Sequence, residues 1–135
     1  MSLEEVAKTL TVMIVEDDES NQQYIKEIFI RKNFHVVLTD GGADTVDLVK
    51  AYMPDVILMD IQLVDISGID LIKEIKSYSN LRNIPIIAVT AFAMQNDRER
   101  IINQSGCDDY ISKPFLSKDM IAMVKKHIPV LKNVN

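Results

Sequence analysis

Asp60 closes the apolar run Val56-Ile57-Leu58-Met59, and three other chemically capable groups follow short apolar runs of their own: the cluster Glu16-Asp17-Asp18, then Thr90, then Lys113. In an open parallel sheet, residues just beyond the carboxyl ends of the strands converge on one crevice, whatever their separation along the chain. Several carboxylates, one hydroxyl and one ammonium would then meet. That set suits a hard divalent ion beside an aspartate able to accept a phosphoryl group, so the chain reads as a phosphorylation switch.

Taken singly, each group has a bland explanation. Acids after a strand often form a solvated turn, Asp60 could cap a helix or form a turn, and Lys113-Pro114 could simply end a strand. Thr90 could be a β-branched strand end. The combination carries the inference, because such groups at the ends of four different strands are hard to assemble by chance. Two carboxylates about 4 Å apart repel by roughly 4 kcal/mol at an effective dielectric near 20, so the cluster should hold raised, coupled pKa values that a divalent cation relieves. Only oxygen ligands are on offer, with no His or Cys nearby in sequence. This selects Mg²⁺, or a similar hard ion such as Mn²⁺, over zinc.

The chemistry then assigns roles. The cation neutralises Asp60 and the incoming phosphoryl oxygens, while Lys113 supplies a point charge on the other side of the transferred group. Asp60 attacks and becomes an acyl phosphate that water can later cleave. Thr90 can donate a hydrogen bond to the new phosphoryl oxygen and draw in the loop after its strand, a shift that Tyr110 could follow. Tyr110 reads equally well as plain packing at the sheet edge.

The elements needed to position these groups follow from the pattern of apolar residues. Leu10 to Val15, Phe34 to Thr39, Asp55 to Asp60, Pro85 to Thr90 and Asp109 to Ser112 read as strands, the first a near-continuous apolar run of the kind buried on both faces. Between them lie helical spacings: Ile25, Ile28 and Phe29 after a Ser20 N-cap; Val46, Val49 and Met53 before Pro54; Leu71, Ile72 and Ile75 after Gly68. Ile101 and Ile102 form a weaker helix stopping near Gly106, and Ser117 caps a last one carrying Met120, Ile121, Val124 and Ile128. Five βα units of this length predict an α/β fold, a parallel sheet with right-handed crossovers and helices on both faces.

With 135 residues, 47% of them hydrophobic and 26% charged, the chain fits one domain with one core. Residues 1–10 read as an N-terminal leader, of which Met1-Ser2-Leu3 is equally compatible with a cloning scar or a native start; 11–130 read as the domain and 131–135 as a tail. A net charge of −5 with dispersed Lys and Arg argues against nucleic-acid binding. The first ten residues fit neither a signal peptide nor a membrane span, which leaves a cytoplasmic location as the expectation. Cys107 is the only cysteine, so no internal disulfide can form, and it reads as a buried structural thiol. His35 and His127 read as a strand opener and a helix-closing cation rather than catalysts. Phe92 and Met94, after the fourth strand, read as a partner surface or as ordinary exposed apolar residues.

The segments Ile14-Val15-Glu16-Asp17-Asp18, Leu58-Met59-Asp60, Val89-Thr90-Ala91 and Ser112-Lys113-Pro114-Phe115 together resemble the receiver domain of two-component response regulators, from about Thr11 to Lys126. The Asp-Ile-Gln-Leu and Thr-Ala-Phe-Ala-Met segments are similar to those of stand-alone cell-cycle regulators. The resemblance implies a flavodoxin-like doubly wound (βα)5 fold with strand order 2-1-3-4-5, and a switch rather than an enzyme. It makes Asp60 the phosphoacceptor, fed by a phosphohistidine on a sensor histidine kinase or phosphotransfer protein. Asp17, Asp60 and the Gln62 backbone carbonyl become Mg²⁺ ligands, and Glu16, where Asp is commoner, acts through water. Thr90, Lys113 and Tyr110 become the switch hydroxyl, the phosphate-binding lysine and the switch aromatic. The resemblance also implies a cis Lys113-Pro114 peptide; as a signalling switch, the chain would act on an output protein through the last helix-strand-helix face. Val64 departs from the pattern, standing where these domains generally have proline, so the φ restraint that proline would place on the loop carrying Gln62 is absent.

Other readings remain open on the residues alone. A flavin carrier would want a Ser/Thr/Gly-rich loop after the first strand, where acids stand and would repel a phosphate. An aspartate-nucleophile phosphatase would want an acid where Gln62 stands. A receiver serving as a scaffold without phosphorylation keeps the same sequence.

Overall fold

The computed structural model describes residues 1–64, 66–91 and 96–134; Phe92 and Met94 lie outside the described residues. Helix α1 spans Leu3–Ala7, and strand β1, Thr11–Val15, is followed by α2, Glu19–Ile30. Then come β2 (His35–Thr39), α3 (Thr45–Tyr52), β3 (Val56–Asp60), α4 (Gly68–Ser77), β4 (Ile86–Thr90), α5 (Asp97–Ser105), β5 (Asp109–Ser112) and α6 (Ser117–His127), ending in a 3₁₀ turn at Pro129–Leu131. The strands form one parallel sheet in the expected order β2-β1-β3-β4-β5.

Alternation along the strands divides the core into two layers, as expected when helices cover both faces. Val12, Ile14, Val56, Leu58, Ile87 and Val89 point to the side covered by α1, α2 and α6, where Phe29, Met120 and Val124 meet them. Met13, Val15, Ile57, Met59, Ile86 and Ala88 point to the other side, against Val49 of α3, Leu71, Ile72 and Ile75 of α4, and Ile101 of α5. Strands β3 and β4 are buried along their whole length, which explains their unbroken apolar runs. Among the described residues no helix is long and apolar enough to cross a membrane.

Three local expectations, at Ser20, Ser117 and Met53, are corrected, while those at Gly106 and Cys107 hold. Asp18, not Ser20, caps α2, its carboxylate accepting from the Asn21 amide at 2.9 Å. Leu116 occupies the N-cap position of α6 and Ser117 is its first residue, with no side-chain cap. Met53 does not line the inner face of α3; it ends the helix in the left-handed region, φ 44°, and is exposed. Gly106 ends α5 at φ 81°, a conformation that costs glycine little. Residues 1–10 do more than lead into β1: Ser2 and Glu5 form a reciprocal capping box, and Leu3, Val6, Ala7 and Leu10 are buried against the layer that includes Leu131. Cys107 is a buried free thiol, and burial pushes its pKa up.

Asp109 ties the last three elements together. Its Oδ1 accepts from the Tyr110 amide at 2.9 Å and from Arg98 of α5 at 3.2 Å, while Oδ2 lies 2.6 Å from His127 Nε2 and 3.4 Å from Lys126 Nζ on α6. Burial alone would raise this carboxyl, but hydrogen bonds from His127, the Tyr110 amide and Arg98, with the Lys126 charge, hold it at about 2 against an ordinary 3.8. A depressed carboxyl pKa contributes stability that is present above the unfolded value and is lost as pH falls through the folded one. Arg98 and Lys126 are largely exposed, which screens their share. Asp109→Asn is therefore expected to lower stability by roughly 1–2 kcal/mol at pH 7 in urea unfolding, with the gap to the wild type narrowing as pH falls below about 4. A gap independent of pH would show that the loss is one of shape and not of charge.

Candidate phosphoacceptor site

The carboxyl ends of β1, β3, β4 and β5 open on one side of the sheet, and the expected residues stand there. Glu16 follows β1, its amide bonded to the Thr39 carbonyl at 3.0 Å, and Asp60 and Thr90 are the last residues of β3 and β4. Lys113 follows β5 and is held by its amide to the Thr90 carbonyl at 2.8 Å. The Lys113-Pro114 peptide is cis, as the family resemblance implied.

The side chains converge. Lys113 Nζ lies 2.9 Å from Glu16 Oε1 and 3.5 Å from Asp60 Oδ2. Glu16, Asp17 and Asp60 each present an oxygen, and these three oxygens lie within 4.8 Å of one another. Glu16 and Asp60 are buried, at 1% and 5% exposure, whereas Asp17 sits at the mouth. Three acids against one ammonium leave a negative surplus in a partly dry crevice. Burial sets the titration first and the charges second: burial pushes Glu16 up, Lys113 pulls it back down, and Asp60 pushes it up again, for a net rise. For Lys113, burial works to lower the pKa, but the bond to Glu16 and the charges of Asp60 and Glu16 outweigh it and raise it. The donors are all carboxylate oxygens, the ligand chemistry of a hard divalent ion, so the residues present fit one.

The loop after β3 is tied to the site by two of its backbone amides. The Gln62 amide donates to Asp60 Oδ1 at 2.9 Å, and the Val64 amide donates to Asp17 Oδ2 at 2.7 Å. The Gln62 side-chain oxygen accepts from the Ala91 amide at 3.4 Å, joining this loop to the one after β4. Glu16 was expected to act through water; its carboxylate accepts directly from Lys113 at 2.9 Å, a reach that its extra methylene permits. Gly68, expected only to precede the apolar spacing of α4, is its first residue. It is a close approach: a Cβ there would lie 2.2 Å from the Asp60 carbonyl oxygen and 2.7 Å from Ile61 Cα.

Tyr110 lies on β5, partly buried against the layer formed with α3, α4 and α5. Its hydroxyl is buried and has no hydrogen-bond partner among the described residues, and burial, with Asp97 nearby, raises its pKa against the opposing charge of Arg100. Packing and switching are thus both open to this ring, which fills space in that layer.

The sequence model of the response regulator receiver domain matches residues 12–125. The chain belongs to that family. This receiver is 43% identical over 120 residues to the polar-differentiation response regulator DivK of Brucella ovis, covering 89% of this chain and 97% of that one. Among solved structures, the receiver domain of a sensor histidine kinase from Pseudomonas aeruginosa PAO1 superposes with a TM-score of 0.81 at 32% identity, over 89% of this chain and 98% of that one; it holds a magnesium ion in its active-site cleft. A response regulator from Chloroflexus aurantiacus J-10-fl, with a TM-score of 0.83 at 22% identity over 89% of this chain and 98% of that one, shows the shared fold alone. The chain is therefore a receiver domain of two-component signalling.

Proposed function

We propose that this receiver, residues 11–130, takes a phosphoryl group onto the Asp60 carboxylate from a phosphohistidine on a sensor histidine kinase or phosphotransfer protein. The observation that carries the assignment is the placement of Lys113 Nζ 3.5 Å from Asp60 Oδ2, with the Glu16, Asp17 and Asp60 oxygens clustered within 4.8 Å. A carboxylate oxygen of Asp60 attacks phosphorus, the P–N bond to the donor imidazole breaks, and the imidazole nitrogen leaves with the electron pair and takes up a proton. Asp17, Asp60 and the Gln62 carbonyl would hold Mg²⁺ or Mn²⁺, with Glu16 reaching it through water. When bound, the ion supplies positive charge to the acceptor and the phosphoryl oxygens.

Lys113 keeps a fixed cation beside the transferred group, and Glu16 fixes Lys113 in turn. The Thr90 hydroxyl donates to the new phosphoryl oxygen, and Tyr110 gains a reason to reorient as the loop after β4 is drawn in. The face made by α5, β5 and α6 carries the change to an output protein. The similarity to DivK and the magnesium-bearing Pseudomonas receiver support this reading. Incubation with acetyl phosphate and Mg²⁺ tests it. The intact protein should gain the mass of one phosphoryl group, the Asp60→Asn variant should gain none, and chelation should abolish the gain. A gain that survives in Asp60→Asn would remove Asp60 from its role.

A further inference from the structure

Val64 reaches the site through its backbone alone. The residue is 85% exposed, so little packing of the valine holds this part of the loop in place. Its amide, however, donates to Asp17 Oδ2 at 2.7 Å across 47 residues of sequence. A bond that short to a carboxylate is of the charge-assisted kind, stronger than a neutral amide contact. Two residues earlier, the Gln62 amide donates to Asp60 Oδ1 at 2.9 Å. Alternate amides of one loop thus each occupy one oxygen of a different acid in the same cluster.

Each bond restrains a carboxylate and leaves its second oxygen available. Asp60 Oδ2 is the oxygen that faces Lys113. Asp17 has no such ion pair among the described residues, and it is the most exposed of the three acids. A partly exposed aspartate would otherwise sample several rotamers, and a cation would have to select one of them. We propose that the Val64 main-chain amide is a positioning donor for Asp17: it fixes the carboxylate so that its free oxygen faces Glu16 and Asp60, pre-forms the cation site, and stays bonded when the cation binds. This rests on the cluster being the cation site. Proline, which these domains generally have at this position, lacks the N–H, so the bond is a feature of this chain rather than of the family pattern.

Groups that orient a metal ligand from outside typically contribute about 10-fold to 100-fold in metal affinity. In calorimetric titrations with Mg²⁺ alone, Val64→Pro is expected to bind at least about tenfold more weakly than the wild type, and Val64→Ala, which keeps the amide, within about twofold of it. Equal or tighter binding by Val64→Pro overturns the proposal, as does an equal loss in Val64→Ala, which would shift the role to the side chain. Because proline also restricts the backbone, the unsubstituted protein provides the second readout. The Val64 amide proton should resonate downfield and stay protected from exchange both with and without Mg²⁺. Protection lost on adding Mg²⁺ would show that the bond competes with the cation, contradicting the proposal. A wild-type chain that fails to bind Mg²⁺ at all would instead overturn the reading of the cluster on which the proposal stands.

Discussion

Lys113→Met should slow phosphorylation by acetyl phosphate by about 10²–10³-fold, the usual cost of removing one preorganised charge from a developing anion. The methionine keeps most of the stem but leaves Glu16 and Asp60 buried without the ammonium that now lies 2.9 Å from one and 3.5 Å from the other. Stripping one partner from a buried ionic set typically costs about 3 kcal/mol or more, so stability in divalent-free buffer should also fall. The sign with pH is fixed by the direction of the shifts. Glu16 is raised in the folded chain, so its charged form is disfavoured there, and stability is regained as pH falls and Glu16 takes a proton. The raised Lys113 contributes stability that is complete below its unfolded value and lost only as pH rises through its folded one. The deficit of Lys113→Met is therefore full at neutral pH, shrinks in acid, and shrinks on adding Mg²⁺. Stopped-flow phosphorylation and urea unfolding with and without Mg²⁺ measure both effects; a variant slow to phosphorylate yet unchanged in its response to pH and Mg²⁺ would mean that Lys113 acts without balancing the acids.

Gly68→Ala should do comparable damage from outside the charged cluster. The added methyl would meet the Asp60 carbonyl oxygen at 2.2 Å and Ile61 Cα at 2.7 Å, and both are backbone atoms that cannot rotate away. The same glycine donates its amide to the Ile61 carbonyl at 3.1 Å, so α4 is stitched to the end of β3 at the point of collision. Either α4 lifts off β3 or the end of β3 bends. Overpacking of this kind costs typically 1–3 kcal/mol, and with backbone on both sides the upper part of that range, roughly 2–3 kcal/mol, is expected. Moving a nucleophile by about an ångström can cost about a hundredfold in rate, so phosphorylation should fall by that order even under conditions where the variant is folded. Wild-type stability together with a wild-type rate would show that the contact relaxes at no cost.

The parallel sheet was legible because β1, β3 and β4 are buried on both faces and so appear as continuous apolar runs. The site was legible for a related reason: its side chains stand directly at the ends of those runs, and topology alone brings them together. What escaped was carried by main chain or by short elements. Five residues of α1 are too few to show a helical period, although Leu3, Val6 and Ala7 are buried. The cap of α2 was misplaced because Asp18, counted with its acidic neighbours as a possible ligand, in fact spends its carboxylate on the Asn21 amide. The hold of the Val64 amide on Asp17 leaves no trace in residue type beyond the absence of proline, and the close approach at Gly68 depends on where α4 meets β3. Asp109 and His127 are 18 positions apart on different elements, so only the folded chain joins them at 2.6 Å.

Everything turns on which atom receives the phosphoryl group, and this can be read directly. Borohydride reduces an acyl phosphate to a primary alcohol, so an aspartyl phosphate becomes homoserine at the position that carried it. The phosphorylated wild-type chain, reduced and mapped by peptide mass spectrometry, should show homoserine at position 60 and at no other acid. Reduction at Asp17 or Glu16 in its place, or a phosphoryl group on a histidine, would contradict the account.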